Sequence, residues 1–204
     1  MPRALLLRSL LVRDCALSSI PERLNHARAD HGMNEKTRYN GSPRVVYAQS
    51  VLDAGGFAGA RVILPITDPY VLHHGALGGY AVVHLAPADR SSPARVLAAM
   101  RLLREQDGVY NAFGRDDACR AFELPPDRVG DIVLIGDRNT ALGRTPAHHD
   151  LTNVPRLRTH GSLDENTVPF WVSRPMLPEF AKRLSTGKSR NFHLFDFLLN
   201  GLRS

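Results

Sequence analysis

Apolar and polar positions alternate along this chain in two rhythms, and each predicts its own kind of element. The helical rhythm is clearest in "SSPARVLAAMRLLREQDG", residues 91–108, where apolar side chains recur at helical spacing. A serine suited to an N-cap, Pro93 near the first turn and Gly108 as a stop complete the signature. "RDDACRAFEL" predicts a shorter helix, and "RNFHLFDFLLNGL" a C-terminal one ending at Gly201. Strands are predicted for residues 60–66, closed by Pro65 and the Asp68-Pro69 turn, and for 79–85, where β-branched and small residues alternate. "GVYNAF", "GDIVLIGD" and "VPFWVSRP" read as further strands, while "RVVYAQSVLDAG" fits either strand or helix up to Gly55-Gly56. Asn40-Gly41 marks the strongest turn, and no internal repeat or low-complexity tract is present.

Strands interleaved with helices predict an α/β or α+β fold with a mixed sheet. The run from 79 to 136 is compact enough for a small α+β lobe of its own, set between two polar loops that hold the candidate ligands.

Composition narrows the function classes. At 204 residues, one domain with a real core is expected. The 26 Lys+Arg against 20 Asp+Glu leave a net charge of +6, but the arginines are scattered and often adjoin acids, as in Arg115-Asp116-Asp117. A nucleic-acid patch needs them clustered with stacking aromatics, so no nucleic-acid partner is expected, and a small anionic substrate accounts for the balance better. No apolar run approaches membrane-spanning length. Cys15 and Cys119 lie far apart and form no metal or disulfide motif, which fits a reducing cytosol and a cytoplasmic location.

Candidate chemistry begins with Asp30-His31. Neighbours on a strand face opposite sides, yet at a strand end turning on Gly32 both can converge on one metal. His160-Gly161 offers a second ligand or simple turn chemistry, a lone histidine being more often structural. His73-His74 could be ligands, substrate contacts or polar loop residues, and His148-His149-Asp150 reads as structural or supporting. HExxH, P-loop, GxGxxG, GxSxG and cysteine-cluster motifs are all missing, which leaves nucleotide cofactors and a zinc-finger role with little support.

Three stretches in order, "ADHGMNEKT", "RVILPITDPYVLHHGALGGYAVVHL" and "LRTHGSLDENTVPF", resemble the phosphonoacetate hydrolases. These form a branch of the alkaline phosphatase-like, nucleotide pyrophosphatase/phosphodiesterase-type superfamily. His160 follows His31 by 129 positions (160 minus 31), a separation that agrees with the resemblance. The resemblance implies the C-terminal portion of an alkaline phosphatase-like α/β fold over residues 29–204, with an α+β lobe inserted at about 60–136. It implies a two-zinc site with the ions about 4 Å apart, and cleavage of the carbon–phosphorus bond of phosphonoacetate to acetate and phosphate. By motif, Asp30 and His31 would hold the zinc on the side of a threonine nucleophile, and His160 the other. Lys36, His73 and His74 stand as candidate contacts to a small phosphonate substrate, and a homodimer is compatible with the family. Another phosphodiesterase or phosphatase of the same superfamily, or a non-catalytic remnant that only binds, are the competing readings.

The early aspartate, the nucleophilic threonine and an Asp-x-x-x-His pair all belong ahead of the "DHGM" motif. Residues 1–28 match none of them and read as an atypical leader. The expectation is a truncated enzyme with three of seven metal ligands, no catalytic nucleophile, zinc binding that is weak or absent, and no hydrolysis alone. A sheet lacking its central strands also predicts poor solubility.

Overall fold

A computed structural model describes residues 26–28, 31–66, 77–154, 156–172, 174–186 and 189–203. Asp30, most of the 1–28 leader and the His73-His74 loop lie outside the described residues. In chain order the elements begin with β1 (His26–Arg28), β2 (Asn34–Glu35), β3 (Val45–Tyr47), α1 (Ala48–Ala54), β4 (Arg61–Ile63) and β5 (Tyr80–His84). They continue through α2 (Pro87–Arg90), α3 (Pro93–Arg104), β6 (Val109–Gly114), α4 (Arg115–Phe122) and β7 (Ile132–Gly136). β8 (Ala141–Gly143), β9 (Arg158–Thr159), β10 (Phe170–Val172), α5 (Pro178–Ser185) and α6 (Leu194–Asn200) complete the chain. The contacts divide into a unit of residues 31–167 and a second unit of residues 1–30 with 168–204.

The larger unit is built around an antiparallel sheet of order β4-β5-β7-β6. All five residues of β7, Ile-Val-Leu-Ile-Gly, are buried, because a central strand covered on both faces needs apolar side chains on both. Its alternate residues divide accordingly. Ile132 and Leu134 pack with Leu52 of α1 and Met100 and Leu103 of α3, whereas Val133 and Ile135 pack with Ala118 of α4. Beside this sheet, β3 runs parallel to β8, which makes the overall architecture mixed α/β.

Local signals explain most boundaries. The Ser92 side chain accepts the Arg95 N–H at the start of α3, and Pro93 occupies its first turn. The helix ends at Arg104 rather than at Gly108, whose φ of +100° turns the chain into β6 instead. "RVVYAQSVLDAG" supplies both elements it was compatible with: β3, then α1 from Ala48. β4 is shorter than the 60–66 expected, stopping at Ile63 just ahead of Pro65.

In the second unit β1 pairs antiparallel with β10. Phe197 of α6 is buried against Phe170 and Phe180, with ring centroids 5.9 and 5.8 Å away. Arg183 of α5 lies over the Phe197 ring and pairs with Asp196 at 2.7 Å. Among the described residues no helix is long and apolar enough to cross a membrane.

Candidate metal centre

Two of the three expected metal-ligating residues meet on one ribbon. β2 and β9 pair antiparallel in the register Asn34↔Thr159 and Glu35↔Arg158. His31 lies just ahead of β2, and His160 directly follows β9. The ribbon is extended by the Gly32 N–H donating to the Glu165 carbonyl at 2.8 Å and the Lys36 N–H to the Leu157 carbonyl at 2.7 Å. The His160 carbonyl in turn accepts the Gly79 N–H at 2.7 Å, tying the late loop to the start of β5. Glycine is required at 79, since a Cβ there would press on the Ser162 backbone. It is required at 161 too, where φ is +106° and Ile66 fills the space a side chain would take.

The His31 and His160 rings stack, with centroids 3.6 Å apart and planes 15° from parallel. Imidazole lone pairs lie in the ring plane, so two stacked, near-parallel rings cannot aim at one point. They can serve two ions separated by about the stacking distance, and two-metal sites have separations of about 3.5–4 Å. The Nδ1 of His31 sits 2.9 Å from the Gly32 carbonyl oxygen. A carbonyl only accepts, so Nδ1 is the donor in this contact, and Nε2 is the nitrogen left to meet a metal when the ring is neutral. A backbone carbonyl orienting one ring nitrogen in this way is the usual support of a metal-binding histidine. The two histidines therefore fit a pair of neighbouring cations. Among the described residues no group of three or more His, Cys, Asp or Glu is placed to hold an ion, and Asp30 is outside them.

Lys36 takes a different place from the one expected of a substrate contact. Its side chain is fully buried, and its ammonium donates to the Arg138 carbonyl at 2.8 Å, Ser162 Oγ at 3.1 Å and Glu165 Oε1 at 3.1 Å. That ammonium is committed to interior partners. Glu165 is equally enclosed. Its Oε2 accepts from the Ser162 N–H at 2.6 Å and from the Ser162 hydroxyl, and its Oε1 accepts from the Asn34 amide. Burial pushes the Glu165 carboxyl upward, but the hydrogen bonds from Ser162 and Asn34 and the Lys36 charge outweigh it, leaving its pKa below the ordinary value.

Ser162, Glu165 and Asn34 were not among the expected site residues. A readable signal existed: Ser162-x-x-Glu165 is a capping box, and it forms as one over the single turn Leu163–Glu165. His148 and His149 each make a local hydrogen bond. Thr145 Oγ1 contacts His148 Nδ1 at 2.7 Å, and His149 Nε2 accepts the Arg144 N–H at 3.0 Å.

No family model matches the chain. Its architecture is that of the alkaline phosphatase-like fold over the part the chain spans. Within that class the similarity is to phosphonoacetate hydrolase from Sinorhizobium meliloti 1021, solved in complex with phosphonoacetate and in complex with phosphonoformate. Each comparison gives a TM-score of 0.72 and 45% identity, covering 87% of this chain and 41% of that one. The chain spans about two-fifths of the length of the enzyme it matches.

Proposed function

We propose that the chain is part of a phosphonoacetate hydrolase-type metallohydrolase and contributes three ligands, Asp30, His31 and His160, to a two-zinc site. The observation that carries the reading is the stacked His31–His160 pair, its His31 tautomer set by the Gly32 carbonyl. Asp30 and His31 would hold one zinc and His160 the other. When bound, the ions would neutralise charge on the phosphoryl oxygens of a small phosphonate. The remaining work falls to the chain's own residues: the β2–β9 ribbon holds the two imidazoles at stacking distance, and Gly79 fixes the height of the late loop. His73 and His74 remain candidate contacts to the substrate. The phosphonates bound by the similar enzyme support a substrate of that class.

Three of seven ligands leave each zinc short of tetrahedral coordination, and no threonine here is assigned as the nucleophile. The 204-residue polypeptide is therefore expected to bind zinc weakly and to release no phosphate from phosphonoacetate. Isothermal titration with zinc, then with phosphonoacetate, tests this. Weak zinc binding that disappears in His31→Ala supports the reading. No heat with either ligand would favour the non-catalytic remnant, and phosphate release by the polypeptide alone would show that the site is complete without further ligands.

A further inference from the structure

The bulkiest fully buried side chain among the described residues is a lysine, Lys36, and its partner Glu165 is only 2% exposed. A buried ion pair is a poor device for stability, because taking both charges out of water offsets their attraction, and an apolar pair of similar volume does as well or better. Its better-attested use is to fix one register among several of similar energy. The position of this pair gives that use a purpose. Lys36 follows β2, five residues after His31, and Glu165 follows β9, five residues after His160. β2 and β9 are only two residues each, so the backbone ladder alone specifies their register weakly.

We propose that the Lys36–Glu165 pair positions the two histidines, locking the short ribbon in the one register that stacks His31 on His160. Every donor of the cluster is used in this. Asn34 reaches Glu165 from β2, Ser162 reaches it from the late loop, and Lys36 adds the carbonyls of the 137–138 turn after β7. The carboxylate is thus held from the β2 side and from the loop that follows β9, while the ammonium anchors the ribbon to the central sheet. A one-residue slip would leave a full charge buried without its counter-charge, a cost that no alternative register repays. Lys36 and Glu165 are positioning residues, acting on the site only through His31 and His160.

The inference rests on the reading of those histidines as metal ligands, but its main test needs no metal. In the metal-free 204-residue protein, nuclear Overhauser contacts between the ring protons of His31 and His160 report the stack. They are expected in the wild type and expected to vanish in Lys36→Met/Glu165→Gln, which removes both charges and retains an amide for the Ser162 cap. The methyl signals of Leu52, Val83 and Leu134 should stay dispersed, showing an intact core. An inter-ring contact that survives in the folded variant overturns the proposal, as does its absence from the wild type. Collapse of the core methyl dispersion in both the double variant and Glu165→Gln alone would overturn it in favour of a purely structural role. As a second readout, zinc affinity is expected to fall about 10–100-fold in the double variant, the range for losing a group that orients a ligand. A wild type with the ring contact but no zinc binding would sink the metallohydrolase reading and leave the positioning role standing.

Discussion

Gly161 is one of the residues at which the site is sensitive to a single methyl group. Its φ of +106° is costly for any residue with a Cβ, and Ile66 already occupies the direction a Cβ would take. Gly161→Ala is expected to destabilise the 31–167 unit by about 1–3 kcal/mol and to displace His160, its neighbour. Urea unfolding followed by circular dichroism measures the first effect, and an unchanged midpoint would mean that the loop relaxes freely. At this scale the sequence was informative about kind and silent about place. "HG" and "DHGM" marked His31 and His160 as chemistry, and their family spacing tied them together. Lys36 was misplaced because a lysine is rarely buried without a partner, and its partner stands 129 residues further on. No local pattern reports such a pairing. Glu165 was within reach, since the Ser-x-x-Glu capping box is a local signal, but a cap read from sequence gives no sign that its carboxylate also closes an ion pair.

Between elements, the same carboxylate couples stability to pH. Glu165 titrates below the ordinary carboxyl value of 4.5 in the folded state. A lowered folded pKa means that its contribution is fully present above about 4.5 and is lost as pH falls through the depressed value. The 31–167 unit is therefore expected to lose urea resistance on going from pH 7 to about pH 3, and Glu165→Gln should lose measurably less over the same interval. Equal losses in the two proteins would remove Glu165 from the acid response. The elements themselves were readable where one pattern dominated. α3 carries its own cap and its own apolar stripe, and β7 is a bare apolar run, as a strand covered on both faces must be. Boundaries were less readable where two signals met. Gly108 has the composition of a helix stop, yet its left-handed φ serves the turn into β6, since α3 has already closed on the carbonyls of its last turn. "RVVYAQS" hid a strand-to-helix junction because three residues are too few for either period to declare itself.

For the molecule as a whole, the chain spans only 41% of the enzyme it matches, so how it behaves on its own is a physical question in its own right. Poor solubility was expected from uncovered sheet edges, and the described residues also show an exposed apolar group that can be tested separately. In the smaller unit Phe195 and Leu199 are 70 and 79% exposed, and their spacing of four residues aligns them on one side of α6, with Phe192, 66% exposed, in the 3-10 turn just ahead of it. The opposite side of that helix buries Phe197 under Phe180 and Arg183, so the exposed stripe is not needed to hold α6 in place. Exposed large apolar side chains grouped in this way form a patch of the kind that drives association. Replacing Phe195 with Lys and Leu199 with Glu leaves the net charge unchanged and removes most of the stripe. The double variant is expected to remain monodisperse at several-fold higher concentration than the wild type, as read by size-exclusion chromatography with light scattering, at unchanged thermal midpoint. If both proteins associate at the same concentration, the cause is not α6, and β3 becomes the place to look, because β8 is its one strand partner among the described residues.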